Sequence, residues 1–186
     1  MLYFIFFKIF GINIFKYITF RSIYASITAM VLGFFLFPKF KEKLKDFQFR
    51  QSIKEYLPET HKLKRSIPTM GGVLILSLLL LSSLLWNRLD NRFVILSLLS
   101  ASGFGIIGFI DDYIKSRMGK AEGLSERWKF LLQVLVALLV AFSLYRLGFS
   151  TKIYFPVFKN LSVDLGIFFI LWATFIIVGS SNAVNL

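Results

Sequence analysis

FVILSLLSASGFGIIGFI, residues 93–110, contains no charged side chain, and the next two residues are Asp111 and Asp112. A helix needs about 20 apolar residues to cross the hydrocarbon core of a bilayer, with ~17–25 tolerated. This stretch is long enough, and the chain repeats it. Comparable runs occupy roughly 20–37, 69–86, 130–148 and 165–184. Ile23–Phe37 in the first is free of charge, while the fourth holds one polar exception, Gln133, and ends near Arg146, which snorkels outward.

The composition agrees. Of 186 residues, 56% are apolar, and the mean hydropathy is +0.71. Soluble domains sit nearer ~45–50% apolar and interleave apolar with charged residues. Here the charge is gathered into short segments between long apolar runs. The reading is an all-α, polytopic membrane helix bundle: one domain over 1–186, five transmembrane helices, and loops at 38–68 and 111–129. The net charge of +12 would point to nucleic acid in a soluble protein. Its confinement to loops gives it a different meaning here, and no nucleic-acid partner is expected. The chain has no cysteine and a single histidine, His61, which excludes disulfides, thiolate metal sites and multi-histidine centres within it. His61 lies on a charged loop and is given no role.

Residues 1–19 are apolar but interrupted by Lys8, Gly11, Asn13 and Lys16. They lack the early basic region and the small-residue cleavage site of a signal peptide, so a helix lying along the interface is expected. The positive-inside rule sets the orientation. The 38–68 and 111–129 segments hold fourteen Lys and Arg residues against eight on the opposite side. They are therefore expected in the cytoplasm, with the N-terminus outside.

Several motifs have both a plain and a chemical reading. Gly103, Gly105 and Gly108 match a dinucleotide fingerprint, G-x-G-x-x-G. That fingerprint needs a preceding strand, whereas this one lies inside an apolar run, so its glycines are read as letting helices pack closely. Asp111 and Asp112 repel each other and are costly near hydrocarbon, unless both are simply solvated among headgroups. On a helix, neighbours point ~100° apart, so one carboxylate can face a site while a partner anchors the other. Such a pair suits Mg²⁺, which takes one or two carboxylates plus substrate phosphates, or proton removal from a phosphate or hydroxyl. Lys62–Gly72 is either an ordinary basic anchor or a cradle for a diphosphate. Gly123–Lys129 is either an N-capped helix start at Ser125 or a source of cations beside the acids. Asn182 and Asn185, three apart, share a helix face and either pack against another span or read a polar ligand. All four motifs fall at one face, which points to a single cytoplasmic cleft.

At these residues the chain resembles the phospho-N-acetylmuramoyl-pentapeptide transferases. The resemblance rests on PTMGG (68–72), GIIGFIDDYIK (105–115), GLSERWKFLLQ (123–133) and VGSSNAVNL (178–186), with TFRS (19–22) fitting the first span. It implies an Mg²⁺-dependent enzyme of the inner membrane. The enzyme would move phospho-MurNAc-pentapeptide from UDP-MurNAc-pentapeptide to undecaprenyl phosphate, giving lipid I and UMP for peptidoglycan synthesis. By the resemblance, Asp111 and Asp112 are the catalytic pair and also metal ligands. Lys64, Thr69, Lys115, Lys129, Asn182 and Asn185 are the substrate contacts. The family is about twice this long, with ten spans, so its principal metal ligand is expected beyond residue 186 and this stretch alone is expected to be inactive. The rivals are a sister transferase using another UDP-N-acetylhexosamine, and an ion-coupled transporter with its carboxylates near the midplane. Dimerisation stays open, with a homodimer as one arrangement.

Overall fold

The computed structural model describes residues 1–49, 70–118, 123–154 and 161–183. Five helices follow one another: α1 (Ile18–Phe49), α2 (Gly71–Trp86), α3 (Arg92–Met118), α4 (Glu126–Arg146) and α5 (Phe169–Asn182). Each packs on its sequence neighbour, as short connections between antiparallel helices require. A two-stranded antiparallel ribbon, β1 (Lys152–Tyr154) with β2 (Ser162–Asp164), joins α4 to α5. The architecture is thus a helical membrane bundle with, among the described residues, one small β-ribbon, which the apolar runs do not reveal.

The bundle is turned out relative to a soluble protein. Phe34 is 76% exposed and Phe175 72% exposed, while the fully buried helix residues are Ala137 and Ala141. Without a hydrophobic force between helices in lipid, close backbone approach at small residues holds spans together. The seams show this. An ideal Cβ on Gly103 would meet Val136 Cγ1 at 3.0 Å, and one on Gly33 would meet Leu78 Cδ1 at 3.4 Å. On Gly105 it would run into Leu76 Cδ2, with Leu76 Cγ at 3.3 Å. Ala141 and Ala173 close the α4–α5 seam around Phe169. The large apolar side chains face outward, as they must in a bilayer, and the protein is an integral membrane protein.

Among the described residues, three helices are long and apolar enough to cross a membrane by length and composition: Ile18–Leu44, Arg92–Lys115 and Glu126–Arg146. Gly71–Trp86 and Gly166–Asn182 are shorter apolar helices. The helices outrun the apolar stretches. Segments 38–68 and 111–129, read as loops, are helical over 38–49, 111–118 and 126–129. Helix formation needs backbone bonding and tolerant side chains, not apolarity, so charged residues extend both helices; α1 even continues through Pro38. Residues 1–19 also differ from a single interfacial helix. A π-helical segment, Tyr3–Ile9, and a 3₁₀ turn, Asn13–Lys16, are separated by Gly11 at φ +69°, a conformation that glycine adopts freely. This segment folds over the ends of α1 and α2. Phe15 stacks on Trp86 at 6.1 Å, and the Tyr3 ring lies between the guanidinium groups of Arg21 and Arg88, 4.9 Å from each.

The two ends of the bundle differ in chemistry. At one end, Phe149 bridges Phe93 at the start of α3 and Phe169 at the start of α5, with centroids 6.1 and 5.9 Å away. The hairpin is pinned there by Asp164, which accepts from the Thr151 hydroxyl and the Gly166 amide; these bonds hold its carboxyl below the usual carboxylate range. At the other end, the finish of α3, the start of α4 and the finish of α5 bring polar side chains together.

Candidate functional site

Asp111 and Asp112 lie seven and six residues before the end of α3, inside the helix and not at its boundary. The helical offset separates them. Asp111 turns inward and is only 5% exposed. Its Oδ2 accepts from Lys115 Nζ at 2.7 Å, one turn along the same helix, and lies 3.6 Å from Lys129 Nζ on α4. Its Oδ1 accepts the backbone N–H of Leu124 at 2.9 Å. A buried carboxylate needs such partners, since an unpaired charge there is expensive. Asp112 is half-buried, and none of the hydrogen bonds and ion pairs among the described residues involves it.

Asp112 instead borders a cleft of about 730 Å³ between α2, α3 and α4. Gly72, Val73, Leu76, Ser77 and Leu80 form the α2 wall, and Phe104, Gly105 and Gly108 form part of the α3 wall. The acids, Lys115, Lys129 and Gln133 gather on the same cleft, with Ser181 reaching it from α5. One end is therefore apolar and the other charged. The glycines divide the labour: Gly103 and Gly105 sit in helix seams, whereas a Cβ on Gly72 or Gly108 would meet nothing within 4 Å.

Gln133 is the residue that motif reading passed over. It is 6% exposed, and its Oε1 accepts from Asn182 Nδ2 at 2.8 Å; the same nitrogen also donates to the Val178 carbonyl at 2.9 Å. The signal was present: an amide alone in an apolar span is costly and marks a site by default. Asn182, expected to contact substrate, thus has its amide nitrogen committed within the fold.

The structure brings Asp111, Asp112, Lys115 and Lys129 together and sets Asn182 behind them through Gln133. Lys64, Thr69 and Asn185 lie outside the described residues. Among the described residues there is no group of three His, Cys, Asp or Glu side chains able to hold a metal ion.

The lipid-facing helical bundle with its charged cleft defines a membrane-embedded helical protein, and residues 94–186 match the Glycosyl transferase family 4 model. The chain belongs to that family. It is 50% identical over 175 residues to a phospho-N-acetylmuramoyl-pentapeptide-transferase of Geobacter sp. (strain M21) and to one of Citrifermentans bemidjiense. It is 48% identical over 178 residues to the enzyme of the same name from Desulfatibacillum aliphaticivorans. Each match covers 94% of this chain and 49% of the relative. The chain therefore spans about half the length of the curated relatives it matches.

Proposed function

We propose that the protein transfers phospho-MurNAc-pentapeptide from UDP-MurNAc-pentapeptide to undecaprenyl phosphate, giving lipid I and UMP. One observation supports it above others: in a chain half identical to enzymes of that name, Asp112, a carboxylate with no hydrogen bond or ion pair among the described residues, lines the same cleft as two lysines, and that cleft is apolar at its other end. One substrate is water-borne and the other is held in lipid, so the two must meet at such a boundary.

In this reading a phosphate oxygen of the lipid attacks the sugar-linked phosphorus of the UDP substrate. The bond from that phosphorus to the bridging oxygen breaks, and UMP leaves with the oxygen. Asp112 takes the proton of the lipid phosphate. Lys115 and Lys129 offset charge on the diphosphate, since catalysis of phosphoryl transfer is mostly positioning and charge compensation. Lys64, Thr69, Asn182 and Asn185 serve as substrate contacts. Mg²⁺ typically binds through one or two carboxylates together with substrate phosphates. Asp112 fits as one such carboxylate. Asp111 is the second candidate, since an oxygen that accepts one hydrogen bond keeps a further lone pair for a cation. When bound, the ion would neutralise charge on the diphosphate.

Membranes carrying the protein expressed from its complete gene are expected to convert labelled UDP-MurNAc-pentapeptide and undecaprenyl phosphate into a lipid-soluble product with release of UMP. UDP-N-acetylhexosamines lacking the pentapeptide should give none. Product from those sugars alone would replace this reading with the sister transferase.

The same reading puts the cleft at the cytoplasmic face of the inner membrane and the N-terminus outside. These 186 residues hold no cysteine, so a replacement among them adds the one thiol they carry. Ser125 and Ser150 flank the 21-residue α4, about 31 Å of helix. In intact cells, Ser150→Cys is expected to react with an impermeant maleimide, and Ser125→Cys only after lysis. The reverse pattern would overturn the orientation.

A further inference from the structure

The geometry points to a positioning clamp in which Gly123 and the backbone amide of Leu124 hold Asp111, so that the α3–α4 connection sets the direction of Asp112 and the places of the two lysines. Its existence stands on contacts alone; its role in turnover rests on the transfer reading above.

Three donors from three parts of the chain converge on one buried carboxylate. Lys115 comes from the same helix, Leu124 from the connection and Lys129 from the next helix, at 2.7, 2.9 and 3.6 Å. Leu124 reaches Asp111 only because its neighbour has no side chain. A Cβ on Gly123 would run into Asp111 Oδ1, and would lie 2.6 Å from the Asp111 carbonyl oxygen and 2.9 Å from Lys115 Cε. The lysine can swing aside. The carbonyl oxygen belongs to the helix backbone and cannot. Gly123 does not have the positive φ of Gly11 or Gly148, so glycine is needed here for room and not for conformation.

The consequence falls on the neighbouring acid. Adjacent helical side chains are held ~100° apart, so pinning Asp111 fixes the rotation of that turn and with it the aim of Asp112 into the cleft. Asp111 is then a positioning residue, and the two acids divide into one that is anchored and one with no hydrogen bond or ion pair among the described residues.

The test has two arms. In the first, hydrogen exchange is read on the wild-type protein in detergent or nanodiscs, where neither transfer nor a variant is needed. The Leu124 amide precedes α4 and has no helical partner, yet it is expected to exchange as slowly as the α4 amides and to lose that protection in Asp111→Ala. Exchange at the rate of open chain in the wild type would overturn the clamp. In the second arm, Gly123→Ala, Asp111→Ala and the double variant are compared for transfer. Gly123→Ala is expected to lower kcat about 10- to 100-fold, the size of effect a misplaced catalytic geometry produces. KM for the nucleotide substrate should stay within about threefold, the sign that binding is spared. The double variant should be no slower than the slower single one, because both break the same contact. Losses that multiply would overturn the proposal. Leu124→Ala keeps the amide and should behave as wild type. If the wild type transfers nothing, the transfer reading fails while the exchange arm still decides the clamp.

Discussion

Asp112→Asn is expected to lower the rate of transfer by about 10²–10⁴-fold, the usual worth of a positioned acid–base group. The replacement keeps size and shape and removes only the ability to take a proton and to carry charge. Because Asp112 makes no hydrogen bond or ion pair among the described residues, the fold should not register the change. Thermal unfolding in detergent and helical content should match the wild type, and the loss should appear in kcat. Asp111→Asn should differ. It removes the negative end of two lysine contacts around a buried carboxylate and leaves those cations uncompensated, so it should cost stability as well as rate. An Asp112→Asn protein that transfers at the wild-type rate would remove Asp112 from the chemistry.

Gly105→Leu is expected to produce the largest loss of stability. The glycine sits in the α2–α3 seam, where even a Cβ would run into Leu76 Cδ2, with Leu76 Cγ 3.3 Å away. A methyl alone is accommodated if Leu76 changes rotamer. A whole leucine side chain is not, and the two helices must then separate. Overpacking of this kind costs about 1–3 kcal/mol, occasionally more. It also widens the cleft that Leu76 and Gly105 line together. Thermal unfolding of the detergent-solubilised protein should show a lower midpoint, and Leu76→Ala in the same chain should recover much of it. Gly108→Leu serves as the control. It lies three residues further along α3, with nothing within 4 Å of an added Cβ, and the fold should accept it. If Gly105→Leu proves as stable as Gly108→Leu, the seam does not depend on close backbone approach.

Much of this arrangement is legible before any coordinates. Charge-free runs identify the helices because a bilayer penalises every exposed polar group, a penalty that can be counted residue by residue. The glycines at 103 and 105 are recognisable as packing residues, because a nucleotide-binding turn needs a strand that an apolar span does not provide. Adjacency of Asp111 and Asp112 on a helix already implies that the two carboxylates diverge. The helix ends were less legible. The α3 helix continues to Met118 because the charged residues after the apolar run still favour helix and because Lys115 pairs with Asp111 one turn back. Nothing in a hydropathy pattern records that. The hairpin at 152–164 escaped for the opposite reason, since two three-residue strands are too short to show a period.

Sequence alone determined that this protein is a helical membrane bundle, with an acid pair that follows an apolar run and has basic residues close by in the chain. Those properties depend on run length, local charge and residue type, and all are local. Tertiary structure decided which acid is anchored, that a side chain at Gly123 would strike that acid, and that Asn182 answers to Gln133. Each of these depends on donors 13 to 49 positions away in the chain. Packing brings such partners together, and no spacing rule along the sequence reaches that far.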